Sequence, residues 1–160
     1  MDANSLLLVG HGPVVEALVP MAELLGWSTT VTATIDEATA ALPSAQAVVV
    51  TSHDSDVDAP ALAAAIAARP AYIVAMGSRG RQAQRREWLL GHGVTEDELA
   101  GVHGPAGLDI GANTPAEIAL SILAELVATL RGASVTGSLK DTSGPIHPEL
   151  PAGAAFSPEG

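Results

Sequence analysis

The spacing of short apolar runs constrains this chain most. Ala47 to Thr51 contains Val48-Val49-Val50, three consecutive valines that leave neither face a polar residue to turn toward water before Thr51. A strand of that kind is buried on both sides, as in parallel sheets covered by helices. Ser5-Leu6-Leu7-Leu8-Val9 has the same character, and Thr29 to Thr34 is rich in β-branched residues. Ala71 to Met76 reads as a fourth strand, and Gly101 to His103 as a short fifth. Helical patterns fill the gaps: about Pro13 to Leu25, where Pro20 should introduce a bend, then Asp36 to Leu42. Asp58 to Ala68 is stopped by Arg69-Pro70, and about Arg79 to Leu90 ends at Gly91. This alternation with short loops predicts a three-layer, Rossmann-like α/β fold with about five parallel strands.

The 160 residues predict a single domain over 1–131 and an extended or disordered tail over 132–160. From Gly132 the sequence turns to Gly, Ser, Thr and Pro, although Ile146, Leu150 and Phe156 offer apolar points for docking on a neighbouring surface. The aromatics are two Trp, one Tyr and one Phe, so the core must be aliphatic. A formal net charge of −11 argues against nucleic acid and against an anionic membrane. With no cysteine, thiolate metal sites and disulfides are excluded. No run has membrane-spanning length and Met1 to Asn4 shows no signal pattern, so a cytoplasmic protein is expected.

Pro105 to Glu125 concentrates the most information. Gly107 and Gly111 bracket Leu108-Asp109-Ile110, which suggests close approach of backbone to another group. Thr114-Pro115-Ala116-Glu117 then supplies a capping box with proline at the first helical position. Thr95-Glu96-Asp97-Glu98 repeats the capping pattern. Ile118, Ile122, Leu123, Leu126 and Leu130 carry the final helix.

The segment PAGLDIGANTPAEIALSILAE resembles the C-terminal signature of the xanthine dehydrogenase accessory proteins, the XdhC/CoxI family. Three more segments match in order: Gly10-His11-Gly12 after the first strand, Ser52-His53-Asp54 after the third, and Tyr72-Ile73 through Gly77-Ser78-Arg79. The resemblance covers residues 5–131 and the family's C-terminal half, so the N-terminal domain and its cysteines are expected to be absent. It implies a Rossmann-type domain that handles molybdopterin, the molybdenum cofactor, for an enzyme such as xanthine dehydrogenase. The partners it implies are the apo-form of such a molybdenum hydroxylase, a separately encoded accessory subunit, or a second copy of this chain. The family has a longer segment before the Thr-His-Asp strand; its shortness here predicts strand order 2-1-3-4-5 instead of 3-2-1-4-5. The switch point then falls between Gly10-His11-Gly12 and Ser52-His53-Asp54, where open α/β sheets bind ligands.

Each candidate group has a functional and a structural reading. Gly10-x-Gly12 could cradle phosphate or be only a tight turn; Val15 replaces a third glycine, and no acid ends the second strand to read a ribose. NAD(P) is therefore the lesser cofactor expectation, and His11 should crowd or cover the turn. His53 is the candidate proton-transfer group, or a ligand donor with Asp54. Metal binding there is a minor alternative, and Asp56 or Asp58 is expected to cap the following helix. Gly77-Ser78-Arg79 stands at a strand-to-helix junction that suits an anion, with Arg79 as the gripping residue. Arg85 and Arg86 are assigned to the solvated face or to pairs with Glu87 and its neighbours. Asp109 either accepts from a ligand N–H or closes an Asx-type turn on Ile110 to Ala112. Glu125 should face the core and pair with an arginine or an amide, whereas His92, His103 and His147 have no evident partner. Three functions follow as expectations: a maturation module that binds a phosphate-bearing pterin or nucleotide, an NAD(P)-dependent oxidoreductase, or an interaction protein with a decayed site.

Overall fold

The computed structural model describes residues 3–134 and 137–143. Five parallel strands form one sheet: β1 (Ser5–Val9), β2 (Ser28–Thr32), β3 (Ala47–Val50), β4 (Tyr72–Ala75) and β5 (Val102–His103). Their order is β2-β1-β3-β4-β5, the predicted 2-1-3-4-5. Register runs Leu7 to Thr30, Leu7 to Val48, Val48 to Ile73, and Ile73 to Val102. Six α-helices flank it: α1 (Pro13–Leu24), α2 (Ile35–Ala41), α3 (Asp58–Ala68), α4 (Arg79–Gly91), α5 (Glu96–Ala100) and α6 (Pro115–Arg131). Ile146, His147, Leu150 and Phe156 lie outside the described residues.

Because side chains alternate along a strand, each face of the sheet builds its own core. Leu7, Val9, Val48, Val50, Ile73 and Ala75 face α2, α3 and α4. Leu6, Leu8, Ala47, Val49, Tyr72 and Val74 meet α1 and α6. The all-valine run of β3 is fully buried because it serves both layers.

Local signals decide where elements stop. The β-branched run predicted as strand to Thr34 ends at Thr32, because Thr34 leaves the sheet to cap α2. Its hydroxyl accepts from the Glu37 amide, and the Glu37 carboxylate accepts from the Ala33 and Thr34 amides. The predicted boxes at Thr95/Glu98 and Thr114/Glu117 form in the same way. Backbone N–H donors hold the Glu37, Glu98 and Glu117 carboxyls below their ordinary range. Pro20 lies on the exposed side of α1, which continues to Leu24. Among the described residues, no helix is long and apolar enough to cross a membrane.

Candidate functional site

All strands point their carboxyl ends the same way, so the loops after β1, β3, β4 and β5 gather on one edge of the sheet. The Thr51 and Ser52 amides both donate to the Val9 carbonyl, at 2.8 and 3.1 Å, which seats the 51–54 loop beside Gly10. A Cβ on Gly10 would lie 2.4 Å from Thr51 Oγ1 and 2.7 Å from the Ser52 amide nitrogen. Only glycine fits there, at φ 127°, and the two loops touch at that point. Gly12 instead faces open space, and His11 is exposed.

Asp54 organises its own loop. Its Oδ1 accepts from the Asp56 amide at 2.9 Å, and its amide donates to Ser52 Oγ at 3.2 Å. Neither Asp56 nor Asp58 caps α3, contrary to expectation: the N-cap is Val57, without a side-chain bond. The Asp54 carbonyl receives the Val57 and Asp58 amides, so the backbone has taken over the capping role.

Asp58 is freed for another task, and its carboxylate is buried under α4. Arg85 Nε lies 2.7 Å from Asp58 Oδ1, Arg85 NH2 donates to Oδ2 at 3.0 Å, and Arg81 Nε donates to Oδ2 at 3.3 Å. Arg85 also donates to the Met76 carbonyl at 2.6 Å and to Gln82 Oε1 at 2.8 Å. Arg85 is thus buried, not solvated as its sequence suggests. One signal was available: Arg81 and Arg85 are four residues apart and share a helix face. Arg86 does lie outside, paired with the exposed Glu96.

Two clefts border this edge. His53, Ser55, Asp58, Arg81, Gln84 and Trp88 line one of about 260 Å³. The His53 carbonyl accepts from Arg81 NH2 at 2.5 Å. The second, about 320 Å³, is lined by Arg79, Pro105, Gly107, Asp109, Gly111 and Ser121, with others. Sequence reasoning centred the site on the β1–β3 switch point; this second cleft lies after β4 and β5 and brings Arg79 together with Asp109. Gly10, His11 and Gly12 line neither cleft.

The second cleft is built by close packing. Gly107, at φ 90°, lies so near α6 that a Cβ would fall 2.2 Å from Ser121 Oγ. The Leu108 amide donates to the Ser121 carbonyl at 3.2 Å, pinning the turn to the helix. The expected Asx-type turn at Asp109 does not form; the Ile110 amide donates to the Leu108 carbonyl at 3.0 Å instead. That leaves the Asp109 carboxylate exposed at the cleft. On the other wall, Gly77 (φ 131°) carries the chain from β4 into α4, whose N-cap Ser78 accepts from the Arg81 amide at 3.2 Å. Arg79, the first residue of α4, is exposed and has no carboxylate partner among the described residues.

Glu125 and His103 correct the sequence reading. Glu125 Oε1 accepts from the Tyr72 hydroxyl at 2.8 Å and lies 3.4 Å from His103 Nδ1. The His103 ring sits 5.0 Å from the Tyr72 ring, tilted by 37°. Glu125 therefore pairs with a phenol and an imidazole, not an arginine. His92 also has a partner, stacking on Trp88 with ring centres 3.7 Å apart.

Burial, and then the neighbouring Glu125 charge, push the Tyr72 hydroxyl well above the ordinary phenol range. The fold favours the neutral phenol, so its contribution is complete below the unfolded value near ~10 and is lost as pH rises beyond it. The chain has one tyrosine, so absorbance at 295 nm reports this residue alone. We expect no phenolate signal in the folded protein at pH 11, with ionisation appearing together with loss of circular dichroism. A normal titration at ~10 with the fold intact would contradict the Tyr72–Glu125 bond.

A parallel Rossmann-type domain with an arginine-bearing cleft at its strand ends defines the class. Residues 6–126 match the family described as the XdhC Rossmann domain, and the chain belongs to that family. The structure resembles a crystal structure titled a xanthine dehydrogenase from Bacillus halodurans, with TM-score 0.64 and 25% identity over 85% of this chain and 45% of that one. A 78-residue stretch is 36% identical to YqeB of Escherichia coli K12, covering 49% of this chain and 14% of that protein. The chain thus spans less than half the length of either relative.

Proposed function

We propose that this chain is an accessory module for a molybdenum enzyme of the xanthine dehydrogenase type, and that it takes a phosphate-bearing pterin or nucleotide between Arg79 and the 107–111 turn. Membership of the XdhC Rossmann family and the likeness to the Bacillus halodurans structure support the accessory role. The observation that carries the ligand assignment is the state of Arg79. Within the arginine run, Arg81, Arg85 and Arg86 have carboxylate partners, and Arg79 has none among the described residues. It stands at the start of a 13-residue helix, where the first amides lack intrahelical acceptors and the helix dipole favours an anion.

The residues present fit such a guest. A cleft of about 320 Å³ falls at the small end of ligand sites, roughly 300–1,000 Å³. Arg79 would grip the phosphate in a bidentate pair, and Asp109 would accept from a ring N–H at the other end. When bound, molybdopterin supplies the dithiolene that carries the metal; this chain's residues only bind, orient and release it. The proposed recipient is the apo-form of a molybdenum hydroxylase, reached directly or through a separately encoded accessory subunit.

Equilibrium titration with molybdopterin, pterin phosphates and NADPH tests the reading. Arg79→Ala should weaken pterin-phosphate binding by about 10–100-fold, the loss of one charge-assisted contact. Unchanged affinity in that variant, or binding of NADPH alone, would overturn the assignment.

A further inference from the structure

The largest unexplained feature lies away from the strand ends. α1 and α6 pack side by side over one face of the sheet, and between their outer faces runs a groove of about 640 Å³. Met21, Leu24, Leu25, Leu120 and Val127 line it. Leu24 is 88% exposed and Leu120 54%, so these side chains face water without cover from the described residues. An exposed patch of contiguous large aliphatics marks an occupied surface.

We infer that the groove is the docking site for this chain's own C-terminal segment, residues 144–160, bound within the same molecule. Three observations select it. The first is position: α6 ends at Arg131, and Ala133, just beyond it, already lines the groove. The chain therefore leaves the helix at the groove's rim, and the segment begins about ten residues on, within a reach of roughly 35 Å. The second is chemistry: the segment carries Ile146, Leu150 and Phe156 between Pro145, Pro148, Pro151 and Pro158. Proline lacks the N–H that would otherwise need a partner on an apolar face, and it favours an extended path of about 3.1 Å per residue. On such a path Ile146 to Phe156 would span about 30 Å, close to the ~25 Å length of a 17-residue helix such as α6. The third is charge: Arg131 is the charged residue lining the groove and has no carboxylate partner among the described residues. The segment carries Glu149 and Glu159 and no Lys or Arg.

The chain contains no cysteine, so engineered pairs report cleanly. In the full chain, Ala128→Cys is combined in turn with Ile146→Cys, Leu150→Cys and Phe156→Cys, oxidised under dilute conditions, and run on non-reducing gels. At least one pair should give an intramolecular cross-link with altered mobility at monomer mass. Cross-linked dimers in place of that band would assign the groove to a second copy and overturn the inference; so would the absence of any cross-link. A second readout uses the hydrophobic dye ANS. A chain ending at Ser143, and the full chain with Phe156→Asp, should each bind it at least threefold more strongly than the full chain, and a 144–160 peptide should reverse the gain in the shortened chain. Equal dye binding in all three proteins would also overturn it.

Discussion

Replacing Asp58 with alanine is expected to lower the stability of the fold by about 3–5 kcal/mol, a large share of what a domain of this size possesses. The reason is what remains behind. Arg85 is 5% exposed, and without Asp58 its guanidinium keeps only the Met76 carbonyl and Gln82. Arg85→Ala should cost less, because Asp58 retains Arg81, whose side chain is 30% exposed and adaptable. Arg86→Ala removes a pair exposed on both sides and should cost about 0–1 kcal/mol. Replacing both buried partners, as Asp58→Leu with Arg85→Met, should recover much of the loss, since no buried charge is then left alone. Urea unfolding of the four variants checks the order. Equal losses for Asp58→Ala and Arg86→Ala would show that the α3–α4 clamp carries no such burden.

The second large effect concerns the turn that lines the cleft after β4 and β5. Gly107→Ala is expected to cost about 2–4 kcal/mol. The residue adopts φ 90°, unfavourable for any side chain, and its new methyl would fall 2.2 Å from Ser121 Oγ and 3.0 Å from the Ser121 backbone carbon. Gly111→Ala is the matched control. It shares the left-handed backbone, at φ 72°, but meets nothing within 4 Å, so only the conformational cost of roughly 1–2 kcal/mol applies. The difference between the two isolates the clash. Relief of the clash in Gly107→Ala is also expected to lift the turn from α6, shifting Asp109 relative to Arg79 and weakening any ligand that spans the two. Identical unfolding midpoints for the two variants would remove the argument that Gly107 exists for close packing.

The two glycines of the signature run thus do different things, which their spacing alone does not reveal. Gly107 permits approach to Ser121, and Gly111 permits a turn in open space. The same division applies to the arginines. Arg79, Arg81, Arg85 and Arg86 form one basic run in sequence, yet one is exposed with no carboxylate partner among the described residues, two share a buried carboxylate, and one reaches a surface glutamate. Helical spacing puts Arg81 and Arg85 on one face, but nothing local identifies Asp58, 27 residues before Arg85, as their partner.

What the sequence determined by itself is the architecture: strands without polar faces must be covered on both sides, and capping boxes and glycines are local signals that act over three or four residues. Those elements follow from chain-local chemistry, and the strand order from the resemblance to the XdhC family together with the short segment before β3. What only the tertiary structure decided is which charged side chains meet. Asp58 with Arg85, and Tyr72 with Glu125 and His103, are brought together by the stacking of helices on the sheet, which also sets Arg79 and Asp109 on one cleft without pairing them. An ion pair needs its partners within about 4 Å, and separation along the chain carries no information about that distance until the core has packed.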